Sequence, residues 1–317
     1  MSRRLIPTLL LAAFFSLVPI ALPSRIAPAV AQTTSDPVIA AAGDIACATT
    51  ANGFNGGQGS ATQCQQKATS DLLIGGGLAA VLPLGDLQYQ NATQSQLAAA
   101  YDPTWGRVKS ISRPVPGDHE YRSAGAKGYY GYFGAAAGDP ARGYYSFDIG
   151  SWHLIALNSE CAIVACSAGS EQEQWLKADL TAHPNVCTLA YMHRPRWSSA
   201  AGSKSGSESL GPLISALYEG NADVVLAGHS HTYERFAPQN PSGALDAERG
   251  LRAFVVGSGG INHGSWLSTR DNSEVRNNDT FGVLKLTLRP TSYDWQFVPE
   301  AGKTFSDTGS TNCHGMR

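Results

Sequence analysis

Three apolar runs in the first part of the chain each close on the same pair: Pro37–Ala42 runs into Gly43-Asp44, Ala79–Leu84 into Gly85-Asp86, and Ser112–Pro116 into Gly117-Asp118. A fourth run, Ala222–Ala227, closes on Gly228-His229-Ser230-His231. Short apolar runs of this kind read as strands buried on both faces, and open α/β sheets gather their ligands just past the carboxyl ends of such strands. Glycine there lets the chain turn sharply or approach a ligand closely, while aspartate and histidine supply oxygen and nitrogen donors. In extended backbone the imidazoles of His229 and His231 would point the same way, about 6.6 Å apart. That separation suits two neighbouring metals about 3.5–4 Å apart better than one shared ion. Taken alone, the His-x-His stretch is more plainly a surface pair; the strand-end carboxylates elsewhere overturn that reading.

Between these runs, helical patterns cover Gln63–Ile74, Gln94–Tyr101, Glu171–Ala182 and Leu210–Glu219. Gly143–Asn158 reads as a hairpin about Gly150-Ser151, and Cys187–Met192 as a strand that delivers His193. Leu251–Val256, Thr280–Leu288 and Ser292–Val298 add a strand-rich tail. The aromatic, glycine-rich Tyr121–Gly134 reads as a surface loop, its Tyr129, Tyr130, Tyr132 and Phe133 either rimming a pocket or packing locally. Early alternation followed by strands predicts an α/β fold, a four-layer α/β/β/α sandwich of two mixed sheets, with residues 32–317 as a single domain. Residues 1–31 are set apart. Arg3 and Arg4 precede an apolar run from Leu5 to Leu22, and Ala29-Val30-Ala31 offers a small-x-small cleavage site, which together read as a signal peptide of a secreted or periplasmic protein.

With 23 basic and 25 acidic residues the chain has no bulk electrostatic preference for nucleic acid or anionic membranes. Six cysteines in an exported chain favour disulfides. Among the pairings they allow, sequence proximity selects Cys161–Cys166 and Cys47–Cys64, and elimination leaves Cys187–Cys313. No Cys-x-x-Cys is present to build a thiolate zinc site.

The polar residues at the strand ends are Asp44, Asp86, Tyr89, Asp118, His119, His193, His229 and His231. Mixed carboxylates and imidazoles suit zinc, iron or manganese better than calcium. They are too many for one tetrahedral site and right for two metals sharing a carboxylate, a pair that activates water and clamps an in-line displacement at phosphorus.

In this order, Gly43-Asp44, Gly85-Asp86-x-x-Tyr89, Gly117-Asp118-His119-Glu120, His193 and Gly228-His229-x-His231-x-Tyr233-Glu234-Arg235 resemble the calcineurin-like metallophosphoesterases, and within them the purple acid phosphatases. The resemblance implies that Asp44, Tyr89 and His231 hold a first metal, that Asp118, His193 and His229 hold a second, and that Asp86 bridges them. It implies a ferric ion at Tyr89 plus a divalent ion (iron, zinc or manganese), two divalent ions being the alternative. His119 would face the substrate phosphate and protonate the leaving oxygen. The implied activity is hydrolysis of phosphate esters by a hydroxide that the metals activate, with small-molecule phosphomonoesters favoured. A phosphodiesterase or nucleotidase with the same site, or a non-catalytic metal- or phosphate-binding secreted protein, are the rivals.

Two departures from the family pattern matter. Asp118 stands where the family has asparagine, which adds a negative charge and predicts weaker attraction for a phosphomonoester dianion. The stretch Pro195–Leu210 carries none of the substrate-binding histidines of plant-type enzymes, leaving Arg194, Arg196 and Lys204 as cations that either face phosphate or are simply solvated. Of the other histidines, His153 reads as packed or exposed, His183 as a helix cap and His263 as a loop residue rather than one that borders the site. Glu120, Glu234 and Arg235 read as residues that orient ligands.

Overall fold

The computed structural model describes residues 35–315, so the segment expected as a signal peptide lies outside the described residues. From Asp36 onward the chain forms one compact unit. Its strands, in chain order, are β1 (Val38–Ala42), β2 (Ala80–Pro83), β3 (Tyr145–Ile149), β4 (Trp152–Ala156), β5 (Cys187–Met192), β6 (Val224–Ala227), β7 (Tyr233–Phe236), β8 (Arg252–Val256), β9 (Ser273–Asn277), β10 (Gly282–Leu288), β11 (Ser292–Pro299) and β12 (Thr308–Asn312). They form two mixed sheets, ordered β12-β11-β10-β1-β2 and β3-β4-β5-β6-β8-β7-β9. β1 and β2 are parallel, as are β4, β5, β6 and β8.

The alternation of side chains along the second sheet builds the layers. Leu154, Leu189, Tyr191, Val224, Leu226, Phe254 and Val256 face the first sheet in one core. Their neighbours Ile155, Ala190, Met192, Val225, Ala253 and Val255 face the other way, into a second core with Leu176, Leu180, Leu213 and Leu217. Those four belong to the helices Glu171–Ala182 and Gly211–Glu219. Edge-to-face pairs of Trp152 on Tyr293 and Phe254 on Trp295 lock sheet to sheet. Two mixed sheets with helices outside are the sandwich the pattern predicted.

Three local expectations change. Tyr121–Gly134 is not a surface loop: Lys127–Phe133 is helical and buries Tyr129, Tyr130, Tyr132 and Phe133 in the same core cluster as β1 and β2. Of the glycines that disguised the helix, Gly128 serves contact, since a Cβ there would lie 2.1 Å from the Ala92 carbonyl. Ser112–Pro116 lies along β2 through two isolated bridges only, at Ser112 and Val115, because Pro114 and Pro116 lack the N–H a ladder needs. β7, β9 and β12 were not anticipated. The bonds Cys47–Cys64, Cys161–Cys166 and Cys187–Cys313 all form, the last tying the final strand region to β5.

Candidate metal centre

Parallel β1 and β2 bring Asp44 and Asp86 side by side past their carboxyl ends, and parallel β5 and β6 do the same for His193 and His229. The chain bends at once there. Asp44 (φ 62°), Asp86 (50°), His229 (67°) and His231 (54°) all adopt left-handed backbone, a conformation that costs about 1–3 kcal/mol at a non-glycine residue and persists where the surroundings impose it. His229 and His231 are therefore not in the extended geometry the sequence suggested; a turn, not a pleat, directs them apart. At Gly117 a Cβ would sit 2.4 Å from Asp86 Oδ1, so only glycine lets this loop close on the carboxylate.

The seven expected donors meet in two groups. In the first, Tyr89 Oη lies 2.9 Å from Asp44 Oδ1, 2.9 Å from Asp86 Oδ2 and 3.0 Å from His231 Nε2, which is 3.2 Å from Asp44 Oδ1. In the second, His193 Nε2 lies 3.3 Å from Asp118 Oδ1 and 3.1 Å from His229 Nδ1, and the last two are 3.4 Å apart. Asp86 spans the groups, its Oδ1 being 3.4 Å from His193 Nε2.

Hydrogen bonding alone accounts poorly for this arrangement. The single hydroxyl proton of Tyr89 faces three acceptors. His193 Nδ1–H donates to the Leu84 carbonyl at 2.8 Å and turns Nε2 toward the Asp86 and Asp118 carboxylates, while His229 Nε2 lies 2.9 Å from the Ser203 carbonyl and 2.8 Å from Arg194 Nη1, with Nδ1 facing Asp118. A cation resolves the conflict. Ligands about 2.1 Å from a metal stand about 3.0 Å apart on an octahedron and about 3.4 Å apart on a tetrahedron, and the contacts within the two groups run from 2.9 to 3.4 Å.

Charges on the buried carboxylates and on His193 stabilise one another. Burial would raise the Asp86 carboxyl, but His193 outweighs it and holds Asp86 well below the usual range. Burial likewise opposes protonation of His193, yet Asp86 and Asp118 drive its pKa well up. Burial, then Asp44 and Asp86, push the Tyr89 phenol far above 10, so a phenolate there requires a positive ion in its midst.

The supporting residues are now visible. Glu120 accepts from the backbone N–H of Asp86, Leu87 and Gly117 at 2.7–2.9 Å and so braces two donor loops at once. Burial, with Asp86 nearby, raises its carboxyl to about 8. His119 donates from Nδ1 to the Gln90 carbonyl at 2.7 Å and packs at a tilt against Tyr89, leaving Nε2 directed at the centre, 3.8 Å from Asp86 Oδ2 and 3.9 Å from Asp118 Oδ2. Arg194 reaches the centre too, with Nη2 3.1 Å from Asp118 Oδ1 and Nε held at 2.9 Å by Glu160. Glu160 carried no signal in the sequence.

Other expected roles move away from the centre. Glu234 accepts from Ser199 and Ser273, and Arg235 pairs with Asp307 and Glu274; they fix loops and strands and touch no donor of the two groups. His263 stacks on Phe281 at 3.9 Å. His183 accepts its place as a helix cap, 2.9 Å from the Asp179 carbonyl. His153, Asp179 and His183 form a second cluster of metal-ligand types, but the two imidazoles stack 4.4 Å apart and only 11° from parallel. Lone pairs in parallel planes do not meet at one ion. His153 is instead clasped between Asp148 and Asp179, 2.8 Å from each.

Comparison with known proteins puts this geometry beside a described family. Residues 39–233, more than half the chain, match the calcineurin-like phosphoesterases. Purple acid phosphatase 21 of Arabidopsis thaliana is 39% identical over 99 residues, which cover 30% of this chain and 22% of that protein. Probable purple acid phosphatase 20 of the same plant is 30% identical over 182 residues, covering 50% and 40% respectively. The chain thus spans less than half the length of either relative. A purple acid phosphatase from yellow lupin (Lupinus luteus) seeds shares the fold, with a TM-score of 0.70 and 20% identity over 88% of this chain and 54% of that one.

Proposed function

The chain belongs to the calcineurin-like phosphoesterase family, and from that premise we propose that it hydrolyses phosphate esters, phosphomonoesters before diesters, at a two-metal centre. One observation carries the reading: donors from five separate segments converge in two groups, at the spacing that ligand atoms keep around a transition metal. Asp44, Tyr89 and His231 are the ligands proposed for a ferric ion, and Asp118, His193 and His229 those for a divalent iron, zinc or manganese ion, with Asp86 shared. Bound there, the two cations would supply an activated water and offset charge on the phosphate oxygens.

The protein's own groups do the rest. The Leu84 carbonyl accepts from His193 Nδ1–H and aims Nε2 inward, and the contacts of His229 Nε2 with Ser203 and Arg194 leave its Nδ1 facing Asp118. Glu120 keeps the loops of Asp86 and Gly117 in register. His119, oriented by the Gln90 carbonyl, presents Nε2 to the oxygen of the departing alcohol and is the proposed proton donor to it. Three disulfides suit an oxidising compartment and support export, with residues 1–31 as the proposed signal.

The test is metal analysis with a visible spectrum of the purified protein, followed by turnover of p-nitrophenyl phosphate and bis(p-nitrophenyl) phosphate. About two metals per chain, iron with a broad visible band, and faster monoester turnover are expected. A colourless zinc or manganese protein would remove the ferric assignment at Tyr89. Loaded protein inert toward both esters would end the hydrolase reading.

A further inference from the structure

The loop between His193 and the helix Gly211–Glu219 carries no histidine, yet it brings a cation to the mouth of the centre. Its ends are pinned: Ala201 N–H donates to the Ser265 carbonyl and Ser207 N–H to the Pro195 carbonyl, each within 2.9 Å. Between the pins, Gly202–Lys204 make a single tight turn. Two inward contacts hold that turn, His229 Nε2 standing 2.9 Å from the Ser203 carbonyl and Ser230 Oγ–H donating to the Lys204 carbonyl at 2.7 Å. Both come from the histidine-bearing segment, so the backbone of Lys204 is registered against His229 and His231.

From that position the Lys204 ammonium stands 2.9 Å from His231 Nε2. The same Nε2 is a donor atom of the first group, 3.0 Å from Tyr89 Oη. One lone pair cannot serve both a lysine proton and a metal ion. With the centre loaded, Lys204 must turn its protons to another acceptor at the open side of His231. The neighbouring cations are already committed: Arg194 lies between Glu160 and Asp118, and Arg196 is held by Glu208 at 2.6 Å. Lys204 takes part in none of the ion pairs among the described residues.

We propose that Lys204 is a substrate-binding residue that donates to a terminal phosphate oxygen and sets a preference for dianionic monoesters over monoanionic diesters. A monoester presents three terminal oxygens and two charges, a diester two oxygens and one charge. A mobile point charge such as an ammonium therefore gains more from the first. The ammonium also offsets the negative charge that Asp118 adds on the far side of the centre.

This inference rests on the phosphoesterase reading, and the test separates the two. Inorganic phosphate is titrated calorimetrically into metal-loaded wild type, Lys204→Met and Lys204→Arg, with metal content measured on each sample. Lys204→Met should bind phosphate about 10- to 100-fold more weakly, the worth of one charge-assisted hydrogen bond, with metal content unchanged and Lys204→Arg recovering most of the loss. Its kcat/KM should fall further on p-nitrophenyl phosphate than on the bis ester. Equal phosphate affinity in wild type and Lys204→Met overturns the proposal, as does a loss of metal in that variant. Wild type that binds phosphate through Lys204 but turns over no ester keeps the contact and removes the hydrolase.

Discussion

Asp118→Asn changes the charge of the centre with the least change of shape, because asparagine keeps the carbon skeleton and one acceptor oxygen. Asp118 Oδ2 lies 3.9 Å from His119 Nε2, so an anion that accepts from His119 would sit about 5 Å from the carboxylate charge. The Asp118 side chain is 28% exposed, which argues for an effective dielectric of about 40, between surface and solvent values. One unit charge acting at that range on the second charge of a monoester is then worth ~1.7 kcal/mol, or about 15-fold. Removing it should raise the ratio of kcat/KM for p-nitrophenyl phosphate to that for the bis ester by about that factor. Arg194→Gln removes the compensating cation 3.1 Å away and should lower the same ratio, while the double variant returns toward wild type. The assay is run at saturating metal with content verified, since losing a charged ligand also weakens metal binding. A ratio within about threefold of wild type in fully loaded Asp118→Asn would refute the electrostatic argument.

His119→Asn should lower kcat by about 10²–10⁴-fold on an alkyl phosphate and much less on p-nitrophenyl phosphate, whose leaving group departs without a proton; equal losses on both would remove the proton-donor role. The disulfides close loops separated by 126, 17 and 5 residues, so replacing the cysteine pairs by serine should cost ~5, ~3 and ~2 kcal/mol for Cys187–Cys313, Cys47–Cys64 and Cys161–Cys166. Urea unfolding of the three double variants checks that order, and a reversed ranking would refute the chain-entropy account. Burial works against a charged His153, but Asp179 and Asp148 outweigh it and raise its pKa above 6.5. Its stabilising effect is therefore complete below about pH 6.5 and fades as pH climbs through the raised value. In His153→Gln, Tm should lose that decline on the alkaline side, and a Tm–pH curve parallel to wild type would contradict the assignment.

What could be read in the sequence was what is written locally. Gly43-Asp44, Gly85-Asp86 and Gly228-His229 sit just past the strands that deliver them and Gly117-Asp118 past an extended run along β2, so the donors were legible one segment at a time, and sequence proximity was enough for the short disulfides. Residues that act through shape were not. The helix Lys127–Phe133 hid behind Gly128 and Gly131, which lower helical propensity, although Gly128 allows close packing against the Ala92 carbonyl. β9 and β12 are outer strands whose sequences, Ser-Glu-Val-Arg-Asn and Thr-Gly-Ser-Thr-Asn, expose every second residue and show no apolar run. The left-handed backbone at Asp44, Asp86, His229 and His231 left no trace either, because the residues that bear the strain are chosen for their donors.

The three cations after β5 make the same point about substrate binding. Arg194, Arg196 and Lys204 are equivalent in the sequence, each a positive charge in a polar stretch following a donor histidine. What distinguishes them is which carboxylate each one meets. Glu160, brought in from the loop after β4, takes Arg194, and Glu208 takes Arg196. Lys204 is carried past both by a turn anchored to Ser230 and His229. Subtracting the acidic partners leaves one cation at the centre with no carboxylate in ion-pair contact among the described residues, and that subtraction needs the fold. If the remainder is right, moving the partner should move the role: Glu160→Gln would release Arg194 from its outer restraint and should strengthen phosphate binding several-fold in Lys204→Met, where the site lacks a free cation, and less in wild type. Equal gains in the two backgrounds would mean that the two cations do not act on the same anion.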